Sequence, residues 1–122
     1  MGHVEVQAVL GDETRTKMKA VRALVDTGAT LTAIPRQLAR ELGIKPHAQA
    51  RVKTGAGVIV MDRARAYVEI MGAGEIVPVL ISDVINRVLV GVTTLEVLEL
   101  EVDPVAGALR RTALLLYSLA RV

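Results

Sequence analysis

The sequence predicts an all-β chain with two short helices, folded into a small barrel. Three observations point that way. Apolar and polar residues alternate in segment after segment, and a period of two marks half-buried strands. Hydrophobic residues make up 52% of the 122, yet the aromatics are only Tyr67 and Tyr117, so Val, Leu, Ile, Ala and Met must build the core, and abundant Val favours strands. Helical spacing with terminal signals occurs at two short places, near 35–42 and 93–98. The length fits one domain over residues 1–122 with a real core, and no linker or low-complexity stretch divides it.

The elements follow in order. His3–Leu10 places Val4, Val6, Ala8 and Leu10 on one face of a strand. Gly11-Asp12-Glu13 is a turn signal, so a second strand, about Lys17–Val25, pairs back as a hairpin and delivers Asp26 at its end. Leu31–Ile34 leads to Pro35, which suits the first position of a helix over about 35–42. Leu38, Ala39 and Leu42 share one face of it, Arg36, Arg40 and Glu41 make a solvated face, and Gly43 suits a left-handed cap. Arg51–Met61 predicts a hairpin turning through Thr54-Gly55-Ala56-Gly57, whose two glycines make a mobile tip. Ala64–Met71 alternates, Gly72-Ala73-Gly74 turns, and Ile76–Ile81 is a strand in which Pro78 marks an edge or an irregularity. Val88–Gly91 is a short apolar strand ending in Gly. Thr93, with Glu96 three residues on, has a capping-box pattern and starts a helix to about Leu98. Leu100–Val102 is strand-like, Asp103-Pro104 with Gly107 turns, and Leu109–Leu119 is apolar, either a core strand or a strand of a subunit interface.

Charge and composition narrow the function. Fifteen Lys and Arg against thirteen Asp and Glu leave a formal charge of +2, with the Arg residues scattered. No basic run tracks a phosphate backbone and almost no aromatic surface stacks bases, which argues against a nucleic-acid partner. Without Cys there is neither disulfide nor thiolate chemistry. His3 and His47 have no companion at ligand spacing, so neither a metal site nor another cofactor is expected. The start lacks a basic region followed by an apolar stretch, and the longest apolar run, Ala113–Tyr117, is far too short for a bilayer. A cytoplasmic protein without a membrane partner is the default expectation.

The most informative segment is Leu24-Val25-Asp26-Thr27-Gly28-Ala29-Thr30. Its apolar lead-in predicts burial for Asp26, and a lone buried carboxylate is expensive. Thr27 can bond neighbouring backbone, and Gly28 permits a sharp turn and close approach. With Gly28 set beside Gly91, this segment faces Arg87-Val88-Leu89-Val90-Gly91-Val92-Thr93, with Leu89 at the place of Asp26. The pattern of strand, Gly turn and short helix predicts two related units in one barrel.

Asp-Thr-Gly-Ala, a Gly-bearing hairpin some thirty residues later, and Leu89-Val90-Gly91 before a helix resemble the retropepsin-like aspartic proteases. The resemblance covers about residues 4–107. It implies a small closed barrel of the acid-protease type and an aspartic endopeptidase acting on polypeptides as a homodimer. Asp26 of each subunit would form the catalytic dyad, with Thr27 bonding across the two-fold axis. Gly28, Ala29 and Thr30 would line the substrate groove, and Thr54, Gly55, Ala56 and Gly57 would form a flap over it. Leu89, Val90 and Gly91 would support the site, Gly91 from beneath the loop. Activity would favour the acidic side of neutral, where one proton stays on the dyad. Viral members commonly carry an Asp two residues after the active-site Gly and an Arg after the second-half Gly. Thr30 and Val92 stand there instead, so no charge is left unpaired. The helix at 35–42 looks more like retroelement and prokaryotic relatives.

Plainer readings stand beside these. Asp26 can be a strand-end Asp in an Asx turn, and 54–57 an ordinary hairpin turn. Asp62, Asp83 and Asp103 are other carboxylates, none followed by Thr-Gly. The fold can also serve as a non-catalytic peptide-binding or dimerisation module.

Overall fold

The computed structural model describes residues 4–116. Its elements in chain order are β1 (Val4–Gly11), β2 (Met18–Val25), β3 (Thr32–Pro35), α1 (Arg36–Leu42), β4 (Ala48–Thr54), β5 (Gly57–Ile70), β6 (Ala73–Ser82), β7 (Val88–Val90), α2 (Val92–Val97), β8 (Leu100–Asp103) and β9 (Ala108–Arg111). The main sheet runs β1-β2-β7-β3-β6-β5-β4, and a further pairing of β1 with β5 closes its first six strands into a barrel. The expected all-β barrel with two short helices is therefore present.

Alternation builds the core. Ala64, Ala66, Val68 and Ile70 of β5 are buried at every second position, and Ala8 and Leu10, Ala23 and Val25, Val77, Val79 and Ile81, and Val88 and Val90 repeat the pattern. With Ile34, all six strands of the ring feed one aliphatic cluster, and each fully buried Leu, Ile or Val contributes roughly 1.5–3 kcal/mol. Tyr67 is buried with its hydroxyl bonded to Glu69 at 2.7 Å; Tyr117 and His3 lie outside the described residues.

Several local expectations shift. Pro35 is the cap before α1 rather than its first residue: it ends β3 in extended conformation, with ψ 142°. Gly43 is left-handed as expected, φ 73°, and Gly43 and Ile44 return N–H bonds to Arg40 and Ala39. The strands expected at 58–61 and 64–71 are one continuous strand, β5, and the hairpin turn shrinks to Gly55-Ala56 because Thr54 pairs with Gly57. Pro78 is in an inner strand, opposite Arg65, but β3 begins pairing with β6 only at Val79, so its missing N–H falls beyond the end of β3. The capping box is not formed. Gly91 is the N-cap of α2 and Thr93 lies inside the helix. Residues 109–111 pair with β8 and 112–116 carry no regular structure, with Leu114, Leu115 and Leu116 exposed. The described part of this segment is thus not a core strand, and the rest lies outside the described residues. Among the described residues no helix is long and apolar enough to cross a membrane.

The internal relationship also differs from the one read by setting Gly28 beside Gly91. β7 is inserted between β2 and β3, parallel to β2 and antiparallel to β3. The connection from β2 to β3, residues 26–31, must therefore cross the end of β7. Likewise β3 lies between β6 and β7, so residues 83–87 cross the end of β3. The matching units are β2, crossing, β3, α1 and β6, crossing, β7, α2. The first crossing starts with Asp26 and the second with Asp83, so the counterpart of Asp26 is Asp83, not Leu89.

Candidate active site

Asp26 follows the last residue of β2, and its N–H donates to Val90 O at 2.9 Å, which ties the start of the crossing to the end of β7. Ala29 N–H returns to Asp26 O at 3.1 Å, closing a β-turn, while Gly28 N–H donates to Asp26 Oδ1 at 3.0 Å. The carboxylate thus makes an Asx turn with its own loop. Among the described residues it has no other hydrogen bond. Asp26 is half-buried rather than buried, and Thr27, Gly28 and Thr30 are exposed, with Ala29 half-buried. The apolar strand carries the carboxylate to the rim of the core, and the turn swings it out.

The loop is locked from below by α2. The first amides of a helix have no partner within it. Here Val92 N–H donates to Ala29 O at 2.8 Å and Thr93 N–H to Thr30 O at 3.0 Å, so the loop supplies the cap that no side chain provides. Gly91 N–H donates to Thr32 Oγ1 at 3.1 Å, and that hydroxyl meets Thr94 Oγ1 at 2.6 Å; both threonines are fully buried. Gly91 lies directly under the crossing. A Cβ there would sit 2.4 Å from Leu31 C and 2.6 Å from Leu31 O. Val90 is buried beside Val25, and Leu89 pairs with Leu24 on one side and Ala33 on the other. Structure thus brings Asp26, Thr27, Gly28, Ala29, Thr30, Leu89, Val90 and Gly91 into one assembly.

Thr54, Gly55, Ala56 and Gly57 are at the tip of an exposed arm formed by β4 and the first part of β5. Ala56 N–H donates to Thr54 Oγ1 at 3.1 Å, and that hydroxyl donates to Gly57 O at 2.9 Å. No hydrogen bond joins this tip to the Asp26 loop among the described residues. Val58, Ile59 and Val60 of the arm are all exposed.

The other aspartates are engaged elsewhere. Asp12 accepts from the Thr14 hydroxyl and the amides of Thr16 and Lys17. Asp62 and Asp83 share Arg36, which is therefore a clasp rather than part of a solvated helix face. Asp103 accepts the amides of Val105 and Ala106 and lies 3.4 Å from Arg110. Two open clefts, of about 290 and 240 Å³, flank α1, and Asp26 lines neither. His47 is exposed. Thr32 and Thr94 go unread in the sequence: threonine is an ordinary strand or helix residue, and the Thr93/Glu96 spacing points one residue short of the hydroxyl in use.

Residues 6–102 match a family described as aspartyl protease. No curated protein matches the sequence. In structure the chain is similar to the simian foamy virus (mac) protease in solution, with TM-score 0.55 and 20% identity, over 75% of this chain and 90% of that one. It is similar to the EIAV protease complexed with the inhibitor HBY-793, with TM-score 0.61 and 15% identity, over 80% of this chain and 88% of that one. The foamy viral protease–reverse transcriptase in complex with an RNA/DNA hybrid gives TM-score 0.58 and 18% identity, over 85% of this chain and 14% of that one. At these identities the likeness is one of fold.

Proposed function

This chain belongs to the aspartyl protease family, and we propose that it is an aspartic endopeptidase whose active site is completed by a second copy of itself. The observation that carries the proposal is the state of Asp26. Among the described residues it is one carboxylate with a single hydrogen bond, from its own loop, on a crossing fixed from beneath and exposed above. Peptide hydrolysis by carboxylates needs two of them. The chain's matching residue, Asp83, is bound to Arg36 and starts a crossing at the other end of the antiparallel β3–β7 pair. Four residues of β3, rising about 3.3 Å each, keep the two loops on the order of 10 Å apart. The second acid therefore comes from another chain.

Two Asp26 side chains brought within hydrogen-bond reach share one proton, because like charges so close do not both ionise easily. The ionised member takes a proton from a water, whose oxygen attacks the peptide carbonyl carbon. The protonated member gives its proton to the carbonyl oxygen. As the tetrahedral intermediate collapses, a proton passes to the leaving nitrogen and the C–N bond breaks. Thr27, exposed beside Asp26, bonds across the two-fold axis. Gly28, Ala29 and Thr30 present main-chain groups to an extended peptide, and the tip at 54–57 closes over it as a flap. Leu89, Val90 and Gly91 keep the loop in place. One domain, residues 1–122, suffices for this half-site.

The test is cleavage of a denatured protein mixture by wild type and Asp26→Asn, with and without an aspartic-protease inhibitor, alongside sedimentation of the active protein. Loss of cleavage in the variant and with the inhibitor, in a dimer, is expected. Equal cleavage by the variant removes Asp26 from the mechanism, and a strictly monomeric active form removes the dyad. The Asx turn of Asp26 favours a second reading, a non-catalytic peptide-binding or dimerisation module; its outcome is an Asp26→Asn protein that still dimerises and a wild type that cuts nothing.

A further inference from the structure

Arg36 opens α1, where a cation meets the positive end of the helix and gains nothing from it. Two carboxylates from other elements account for its place. Its Nη1 lies 2.9 Å from Asp62 Oδ2 in β5. Its Nη2 donates to Asp83 Oδ2 at 3.1 Å while Nε bonds the other oxygen of the same group, a bidentate fork. The side chains of Arg36 and Asp62 are only 25% and 26% exposed, so water and salt screen this pair less than the ion pairs at the open surface. Both carboxylates push the guanidinium further above its already high pKa.

The position of Asp62 gives the clasp a use. From Asp62 to Ile70, β5 pairs with β6; from Gly57 to Met61 it pairs only with β4. Asp62 is the residue at which the β4–β5 arm leaves the barrel. On its other side, Arg36 directly follows β3, whose first residue, Thr32, holds the Gly91 amide under the Asp26 loop. A single guanidinium thus joins the strand that leaves the candidate active loop to the root of the arm. Apart from it, the root is held by the β5–β6 ladder and by His47 N–H donating to Arg63 O at 2.9 Å.

We propose that Arg36 is the positioning residue of the arm: its pairing with Asp62 sets the angle at which residues 48–61 stand off the barrel, and so how well they cover a peptide at the Asp26 loop. The functional half of this rests on the endopeptidase reading; the mechanical half does not.

Arg36→Gln and Asp62→Asn break the link to the arm, whereas Asp83→Asn leaves Arg36 and Asp62 paired. The natural chain has no Cys, so Lys53→Cys on the arm and Glu75→Cys on β6 take two nitroxides, and spin resonance of labelled chain diluted with unlabelled chain reads the distance between them. The distribution broadens with Arg36→Gln and with Asp62→Asn and stays near wild type with Asp83→Asn. On unlabelled chains KM for a peptide rises about fivefold in the first two, with kcat within about twofold, the upper size expected for losing one ion pair of this exposure. A purely structural role would instead lower the amount of active protein, reducing apparent kcat at constant KM. Should Arg36→Gln fail to fold, Asp62→Asn carries the test alone. An unchanged distance distribution in Asp62→Asn overturns the proposal. A broadened one with unchanged KM overturns its functional half. If Asp26→Asn cleaves as well as wild type, the endopeptidase reading fails and the distance measurement alone decides the clasp.

Discussion

Replacing Gly91 by alanine adds one methyl group where two segments of main chain cross. The backbone at Gly91 is ordinary extended chain, φ −87° and ψ 169°, so no conformational reason demands glycine. On that ground alone the substitution would stabilise by about 0.4–1 kcal/mol, through the unfolded chain. Space decides otherwise. The new Cβ would lie 2.4 Å from Leu31 C, 2.6 Å from Leu31 O and 2.8 Å from Thr32 N. Carbon contacts settle near 3.5 Å, so the loop must rise by ~1 Å, and no side-chain rotation relieves a clash with main chain. Such overpacking costs about 1–3 kcal/mol. The same shift stretches the 3.1 Å bond from Gly91 N–H to Thr32 Oγ1, and a buried polar group left without a partner costs about 1–3 kcal/mol more. The net expectation is a loss of about 2–5 kcal/mol. Urea unfolding followed by circular dichroism, at one fixed protein concentration because association would move the midpoint, measures it. Gly55→Ala is the control: a Cβ there meets nothing within 4 Å, and stability stays within about 0.5–1 kcal/mol of wild type. A loss below about 1 kcal/mol in Gly91→Ala, with the control behaving, would refute the picture of a loop seated on Gly91.

Three further outcomes follow from the same geometry. In Gly28→Ala the Cβ meets Asp26 Oδ1 at 3.3 Å; stability changes by less than about 1 kcal/mol while peptide cleavage falls at least about tenfold, and full activity would show that the carboxylate's place is not critical. Thr32→Val strips partners from both the Gly91 amide and the Thr94 hydroxyl and costs about 2–4 kcal/mol in urea, against about 1–2 for Thr94→Val, which leaves the Gly91 bond intact; equal losses would contradict this order. Acid should destabilise the fold. Glu5 is held below its ordinary 4.5 by Arg87 and Arg22, Glu101 likewise by Arg110, and Asp12, Asp83 and Asp103 below 3.8 by the Thr14 hydroxyl, Arg36 and the amides of Ala106 and Val105. A carboxylate with a depressed folded pKa contributes stability that is complete above its unfolded value and disappears as pH falls through the folded one. The urea midpoint is therefore flat above about pH 5.5 and drops below about pH 4; a midpoint that rises on acidification would reverse the sign.

Much of this architecture was legible because it depends on local periodicity. The alternation of Val4, Val6, Ala8 and Leu10 fixed the inner face of β1, and Gly43 ended α1 for the reason its missing side chain implies. Asp-Thr-Gly and Leu89-Val90-Gly91 marked the two segments that meet. Order along the chain does not reveal a strand inserted between two others, so the repeat appeared as Gly28 against Gly91 when the true counterpart of Asp26 is Asp83. Side chains that act at long sequence separation left no local trace. Thr32 and Thr94 are 62 positions apart and Arg36 and Asp83 are 47 apart, and each residue type is common where it stands. The capping box misled because its cue was real but its task had been taken: the carbonyls of Ala29 and Thr30 already serve the amides that a side-chain cap would have satisfied.

The two crossings explain why their aspartates differ so much in surroundings. Each begins with an aspartate, and each passes over the end of a strand belonging to the other half. Over β7 the strand gives way to Gly91, with no side chain to meet the loop, so Leu31 settles onto bare backbone and Asp26 is turned outward, with one oxygen unbonded among the described residues. Over β3 the strand runs straight into α1 and presents Arg36, which takes Asp83 in a bidentate grip and neutralises it. Equivalent loops thus reach opposite chemical states through the residue beneath them, glycine in one and arginine in the other. Freeing Asp83 would not repair this, because β3 and β7 are antiparallel and their ends face away from each other. On the endopeptidase reading proposed above, the carboxylate pair forms between copies of the first crossing, where Thr27 and Gly28 are exposed.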